Sequence, residues 1–193
     1  MTTAQLKAWQ GDFGKEYTDR SVVDIDLRAK TFSFLTNFRI SSILEVGCGK
    51  GYNLAALSEL FPYGKLYGID PLDYALEQAS LQYPFITFLP GDCFNIPSRG
   101  KSFDLVFTSG VLMHVAPQDL PRAIDEIKRV SRQYVLIIEY FSPTEVVINY
   151  RGNTNLLWKR DYSRVMPNLI DQGFWGKDKG FDDCNFWLFE VTK

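Results

Sequence analysis

The sequence predicts an α/β fold, a mainly parallel sheet expected to hold seven strands, with helices on both faces. Three observations carry this. After about residue 40, strand-like apolar runs alternate with helix-like patterns, the order that builds a parallel sheet from strand–helix–strand units. Several of those runs are apolar throughout rather than alternating, as expected where both faces of a sheet are covered. At ILEVGCGKGYNLAALSELF a strand, a glycine-rich turn and a helix follow one another, an arrangement that brings backbone N–H groups up to a bound ligand.

At 193 residues the chain suits a single domain. Residues 1–40 read as a helical segment, 41–140 as the ligand-binding core, and 141–193 as a substrate-side segment with closing antiparallel strands. In the first segment LKAWQGDFGKEYTDR sets Trp9, Phe13 and Tyr17 among charges, which reads as an amphipathic helix, either packed on the core or serving as a lid. Strands are expected at 43–46, 65–69, 85–89, 103–108 and 134–139. Between them NLAALSELF, DYALEQASL and DLPRAIDEIKRV space their apolar residues at three and four, with Asn53, Asp73 and Asp119 as N-caps. Beyond Tyr140, VVINY reads as a strand, YSRVMPNLIDQG as a helix interrupted at Pro167, and FWLFEV as a closing strand.

Composition narrows the function classes. With 46% apolar and 23% charged residues, and no apolar run near the roughly 18 residues that span a bilayer, no membrane segment is expected. The opening MTTAQLKAWQ lacks the basic start and apolar stretch of a secretory signal, so a cytoplasmic location is expected. Cys48, Cys93 and Cys184 are odd in number and far apart, which argues for reduced thiols and against a zinc site. Twenty-one basic against 23 acidic residues give a net charge of −2, without the surplus of Lys and Arg that draws a polynucleotide. A small-molecule partner is expected instead.

Three ligands compete for ILEVGCGKG. A phosphate loop needs G-x-x-x-x-G-K followed by Ser or Thr, but Leu44 stands five before Gly49 and Gly51 follows Lys50, so that reading fails. The dinucleotide pattern G-x-G-x-x-G would need glycine where Tyr52 sits, so only Gly47 and Gly49 match it. An acid two residues before G-x-G-x-G, as in EVGCGKG, closely resembles the class I S-adenosylmethionine (SAM) methyltransferases, which have a Rossmann-like fold. That resemblance implies SAM as cofactor, with Glu45 near its amino acid end and the turn Gly47, Cys48 and Gly49 beside it. A Cβ at Gly47, Gly49 or Gly51 would collide with the ligand or strain the turn. Asp70, followed by Pro71, ends the second strand about twenty residues later, where an acid accepts from both ribose hydroxyls. NAD would be served equally well there.

Further along, GDCFNIP matches the family's G-D motif, which implies Asp92 at the adenine amino group and Cys93 or Phe94 beside the ring. SFDLVFTSGVLMHVAP resembles the family's fourth strand and the segment after it, which places Ser109 and Gly110 along the cofactor. Each motif alone also suits a simpler role: Asp92 as a turn former, Glu45 as an exposed strand end.

His114 is the chain's one histidine, either a catalytic base or a locally bonded ring. Methyl transfer from a sulfonium is an in-line displacement in which alignment supplies about 7–11 kcal/mol of the barrier. A neutral amine then needs little help, whereas a hydroxyl must lose its proton, a task in which histidine contributes about 10²- to 10⁴-fold. The segment TSGV lacks the N-P-P-Y-like loop of enzymes that methylate adenine or cytosine nitrogen, and the acid pair that grips arginine.

Over nearly its whole length, through WQGDFGKEYTDR, SGVLMHV, EYFSPTEVVINYRG and LLWKRDYSR, the chain resembles the pseudaminic acid biosynthesis-associated methylase family. The resemblance implies a sugar or nucleotide-linked sugar of a nonulosonic pathway as acceptor. Trp9, Phe13, Tyr17, Arg20, Tyr150, Arg151 and Arg160 are the candidate acceptor contacts. Arg151, Lys159, Arg160 and Arg164 outnumber Asp161 in their stretch, a local positive patch suited to a carboxylate or a nucleotide diphosphate. Three other functions remain open: methylation of an amine or guanidino metabolite, NAD-dependent oxidation, and SAM binding without chemistry.

Overall fold

The computed structural model describes residues 2–191. Its apolar runs become β1 (Ser42–Val46), β2 (Lys65–Asp70), β3 (Thr87–Pro90), β4 (Phe103–Ser109) and β5 (Ser131–Glu139), followed by β6 (Val146–Tyr150), β7 (Asn153–Lys159), β8 (Leu169–Trp175) and β9 (Cys184–Glu190). Seven of them form one sheet in the order β3-β2-β1-β4-β5-β9-β8, and β6 pairs with β7 in a separate hairpin. β1 to β5 are parallel, whereas β9 runs antiparallel to both β5 and β8. This is the Rossmann-like, mainly parallel sheet of the sequence reading.

Burial follows from the patterning. In β4, Leu105 and Phe107 join the core on one face and Val106 the core on the other, as the two-residue period of a strand requires. Of the helices α1 (Ala4–Gln10), α2 (Asp12–Arg20), α3 (Ile25–Phe32), α4 (Tyr52–Leu60), α5 (Asp73–Gln82) and α6 (Leu120–Val130), α3, α4 and α5 close the first face with Phe32, Leu54, Leu57 and Leu76. The second is closed by Ala123, Ile127 and Val130 of α6. The chain runs outward from β1 to β2 and β3, then returns to β4 on the other side of β1. A crevice therefore opens at the carboxyl ends of β1 and β4, where open α/β sheets bind ligands.

Several local expectations are corrected. The N-terminal helix is broken at Gly11, which ends α1 and begins α2. α3, unforeseen, starts where the Asp24 carboxylate accepts from the Leu27 N–H at 2.9 Å. β3 begins only at Thr87, because Tyr83–Ile86 closes a turn first (Ile86 N–H to Tyr83 O, 3.0 Å). The helix expected around Pro167 does not form: Asn168 takes φ +58 and the next residues pair with β9 as β8, so sheet pairing overrides a short local pattern. The strand β7 was hidden by its polar opening, Asn-Thr-Asn. α4 is capped by Gly51 at φ +77, not Asn53, and α5 by Leu72, not Asp73. Asp119 does hold the N-cap position of α6, without a side-chain bond. Among the described residues no helix is long and apolar enough to cross a membrane, and no cluster of His, Cys, Asp and Glu could hold a metal.

Candidate active site

The crevice is a cavity of about 590 Å³, and its floor is the glycine turn. The N–H groups of Gly47 and Cys48 both donate to the Ile69 carbonyl (2.8 and 3.0 Å), tying the turn to β2. Asp70 braces it from the side, accepting from the Gly49 N–H at 2.8 Å and from the Leu72 N–H at 3.0 Å. Burial nonetheless lifts the Asp70 carboxyl to about 6. A Cβ at Gly47 would strike Val111 and one at Gly51 would strike Phe88, whereas one at Gly49 would meet nothing within 4 Å. Packing of the protein itself thus demands Gly47 and Gly51, and only Gly49 of the three faces open space.

Behind the turn lies a buried polar relay. Glu45, 1% exposed, accepts from the Asn53 amide at 2.6 Å, and Asn53 in turn accepts from the Arg28 guanidinium. Arg28 also donates to the Gly180 carbonyl at 2.7 Å and lies 3.7 Å above the Phe181 ring. The other Glu45 oxygen, Oε2, is buried with no partner. Loss of water raises the Glu45 carboxyl to about 8 and lowers Arg28 below its ordinary value.

Asp92 also lines the cavity, and its Oδ1 accepts from the N–H groups of Phe94 and Asn95 (2.7 and 3.0 Å), so the acid does form a turn. The Cys93 thiol, pushed up to about 12 by burial, serves as an apolar wall. Ser109 and Gly110 continue that wall from the end of β4.

His114 lines the same cavity from a 3-10 turn, Leu112–His114. Its Nδ1 lies 2.7 Å from the Leu156 carbonyl. A carbonyl can only accept, so Nδ1 carries the hydrogen and Nε2 keeps its lone pair. Burial pushes the imidazole down to about 4, so it is neutral at pH 7. Trp9 packs edge-on against it (4.6 Å between centroids), with Tyr150 at 5.4 Å, and Trp9 also touches Phe13 and Tyr17. The Trp9 indole N–H is buried without a partner. At the mouth the Arg20 guanidinium stands 5.1 Å from the Tyr17 ring and that of Arg151 6.0 Å from Tyr150.

The residues named from the sequence separate accordingly. Glu45, Gly47, Cys48, Gly49, Asp70, Pro71, Asp92, Cys93, Phe94, Ser109, Gly110 and His114 line this one cavity, as do Trp9, Tyr17, Arg20, Tyr150 and Arg151. Phe13 and Arg160 do not. Phe13 lies against Trp9 and Tyr150. Arg160, 4% exposed, donates to the Val115 carbonyl at 3.1 Å and pairs with Glu145 at 3.1 Å. The expected basic patch disperses: Lys159, the last residue of β7, sits over the Tyr140 ring, while Arg160 just beyond the strand is buried. Arg28 and Asn53 were not foreseen. The Asp24 cap signal could have revealed α3, but nothing in the sequence brings Arg28 to Asn53.

These buried groups set a pH dependence. Glu45, raised by burial to about 8, holds a proton in the folded chain that the unfolded chain has already released. Stability therefore falls as pH rises through that value. His114, lowered from 6.5 to about 4, acts with the opposite sign but only below its unfolded value. Melting of the ligand-free chain is thus expected a few degrees lower at pH 8 than at pH 6.5, about 1–2 kcal/mol. A melting temperature unchanged or higher at pH 8 by circular dichroism would count against these protonation states.

Residues 43–133 match a family model described as a methyltransferase domain. An uncharacterized methyltransferase of Schizosaccharomyces pombe is 32% identical over 101 residues, and the phthiotriol/phenolphthiotriol dimycocerosates methyltransferase of Mycobacterium leprae 35% over 92 residues. Each match covers 47% of this chain, and 36% and 33% of the respective relative, so the matches span about a third of these relatives. Among solved structures, a Burkholderia thailandensis 1,6-didemethyltoxoflavin-N1-methyltransferase, bound to 1,6-didemethyltoxoflavin and S-adenosylhomocysteine, superimposes with a TM-score of 0.74. It is 14% identical over 98% of this chain and 87% of its own. The matched segment, similar to a methyltransferase domain, begins in β1 and contains the glycine turn, Asp70, Asp92 and the His114 turn.

Proposed function

We propose that this chain is a SAM-dependent methyltransferase acting on a small polar acceptor, a sugar or nucleotide-linked sugar of the nonulosonic, pseudaminic acid type. One observation carries the activity: a single cavity is lined by the acids Glu45, Asp70 and Asp92 and by the neutral imidazole of His114. The residues fit SAM. Glu45 Oε2, buried and unpartnered, suits the cofactor's ammonium, and Arg28 beside it suits the carboxylate. Asp70 suits the ribose hydroxyls and Asp92 the adenine amino group, and Gly49 leaves backbone space between them. When bound, SAM supplies a methyl group on a positively charged sulfur.

The chain's own part is alignment, exclusion of water and handling of one proton. Trp9, Tyr17 and Tyr150 line the cavity around His114, and Nε2 of His114 receives the proton of an acceptor hydroxyl. A base of pKa about 4 is weak before reaction. An oxygen gaining a methyl becomes a far stronger acid than an imidazolium, so the transfer is favourable late in the reaction.

Arg20 and Arg151 support an anionic acceptor. Among the described residues neither is paired with an acid. Arg151 also holds φ +51 at the tip of the β6–β7 hairpin, a conformation that disfavours a long side chain. A guanidinium retained there at a backbone cost suits a carboxylate or diphosphate. Arg151→Ala is expected to raise the KM for the acceptor about tenfold with little change in kcat. An unchanged KM in steady-state kinetics would remove the arginine from the acceptor site.

Calorimetry with SAM and with NAD tests the assignment: binding of NAD and not of SAM would overturn it. Labelled SAM incubated with cell extract, followed by mass spectrometry of the methylated product, tests the acceptor. A methyl located on nitrogen would replace the sugar hydroxyl with an amine or guanidino metabolite. A product without a sugar would remove the nonulosonic assignment.

A further inference from the structure

We infer that Glu139 is a positioning residue for His114: its carboxylate caps the turn that carries the imidazole and so fixes the direction in which Nε2 faces the cavity. This rests on the reading of His114 as the proton acceptor.

Glu139 ends β5, next to the end of β4, and is fully buried without lining the cavity. Oε1 accepts from the Thr108 hydroxyl (3.0 Å), the Val111 N–H (3.0 Å) and the Leu112 N–H (2.9 Å), and Oε2 from the Met113 N–H (3.2 Å). Those three amides are the ones a 3-10 turn leaves unsatisfied at its start. The turn itself closes through the His114 N–H on the Val111 carbonyl at 2.9 Å. At its other end the Val115 carbonyl is gripped by Arg160 and the ring by the Leu156 carbonyl. His114 is therefore fixed from β5, from β7 and from the chain just beyond β7.

A purely structural role explains this poorly. A serine or threonine could cap one amide of so short a turn, whereas complete burial of a carboxylate is costly. What the carboxylate adds is convergence. Three amides and a hydroxyl bound to one rigid group admit a single arrangement of Val111, Leu112 and Met113, hence of the residue that follows. A misplacement of about 1 Å at a reacting group can cost on the order of 100-fold in rate.

Because the chain has one histidine, its imidazole ¹H–¹⁵N spectrum reports on this site alone and needs neither cofactor nor acceptor. In the ¹⁵N-labelled full chain His114 is expected to show a neutral ring protonated on Nδ1 between about pH 5 and 8. In Glu139→Gln, which keeps the volume but turns an acceptor into a donor, mixed tautomers or titration near pH 6–7 are expected. Turnover should fall about 10- to 100-fold, and Glu139→Gln should cost nothing further in a His114→Ala background. Glu139→Asp, which keeps the charge and withdraws it by one methylene, should move the spectrum the same way and serves if the Gln variant does not fold. A folded variant with the wild-type imidazole spectrum, or losses that multiply in the double variant, would overturn the positioning role. A responsive spectrum in a chain that transfers no methyl group would instead fault the assigned activity.

Discussion

His114→Ala is expected to lower turnover by about 10²- to 10⁴-fold, the usual contribution of a placed histidine, with SAM affinity changed by less than about threefold. The asymmetry follows from position. Glu45, Asp70 and Asp92 stand around the glycine turn, whereas His114 sits among Trp9 and Tyr150. His114→Asn separates base from brace, since its amide can still donate to the Leu156 carbonyl but has no basic nitrogen at Nε2. An equal loss in both variants identifies the proton acceptor; retention of turnover in the asparagine variant would reduce His114 to a local strut. The pH profile is diagnostic as well. Burial holds the ring at about 4 and the proposed base acts in its neutral form, so turnover should decline only as pH falls through that value. A decline centred near 6.5 would mean that the imidazole is solvated during turnover and the wall around it open.

The sheet was legible because its evidence is local. Six apolar runs, three amphipathic stretches and a glycine turn carry local signals that fall within a residue or two of β1, β2, β4, β9 and α4 to α6, while β3 begins two residues later than expected and β5 three residues earlier. The region beyond Tyr140 was less so. β7 opens with three polar residues and β8 follows a proline, so both strands exist through partners that no local pattern names. The site divides in the same way. Glu45, Asp70 and Asp92 could be found because they stand at strand ends in a recognisable sequence context. Asn53 was legible only as a helix cap, and in the fold its amide is used on Glu45 instead. Glu139 reads as an ordinary strand end, because its partners lie 26 to 31 residues earlier in the chain. Arg160 shows the converse error: a charge counted toward a surface patch is a buried brace.

Asp70→Ala is expected to weaken SAM binding about 100-fold, equivalent to about 2.7 kcal/mol, by two routes that reinforce each other. The first is direct, since a carboxylate at the end of β2 accepts from both ribose hydroxyls, and hydrogen bonds to a charged group each contribute about 1.5–3 kcal/mol. The second runs through the turn. Asp70 holds the Gly49 N–H at 2.8 Å and the Leu72 N–H at 3.0 Å, and without it both amides lose their acceptor and the backbone beside the ligand slackens. Asp70→Asn keeps the shape and one acceptor, so it should lose less than alanine while lying well below wild type. The carboxyl stands at about 6 in the ligand-free chain and the ionised form is the stronger acceptor, so wild-type affinity should fall as pH drops through 6. In Asp70→Asn that dependence should vanish. Calorimetric titration of SAM at several pH values into the three proteins reads all of this. An alanine variant that binds SAM as the wild type does would move the ribose site elsewhere, and a pH dependence surviving in the asparagine variant would assign the titration to Glu45.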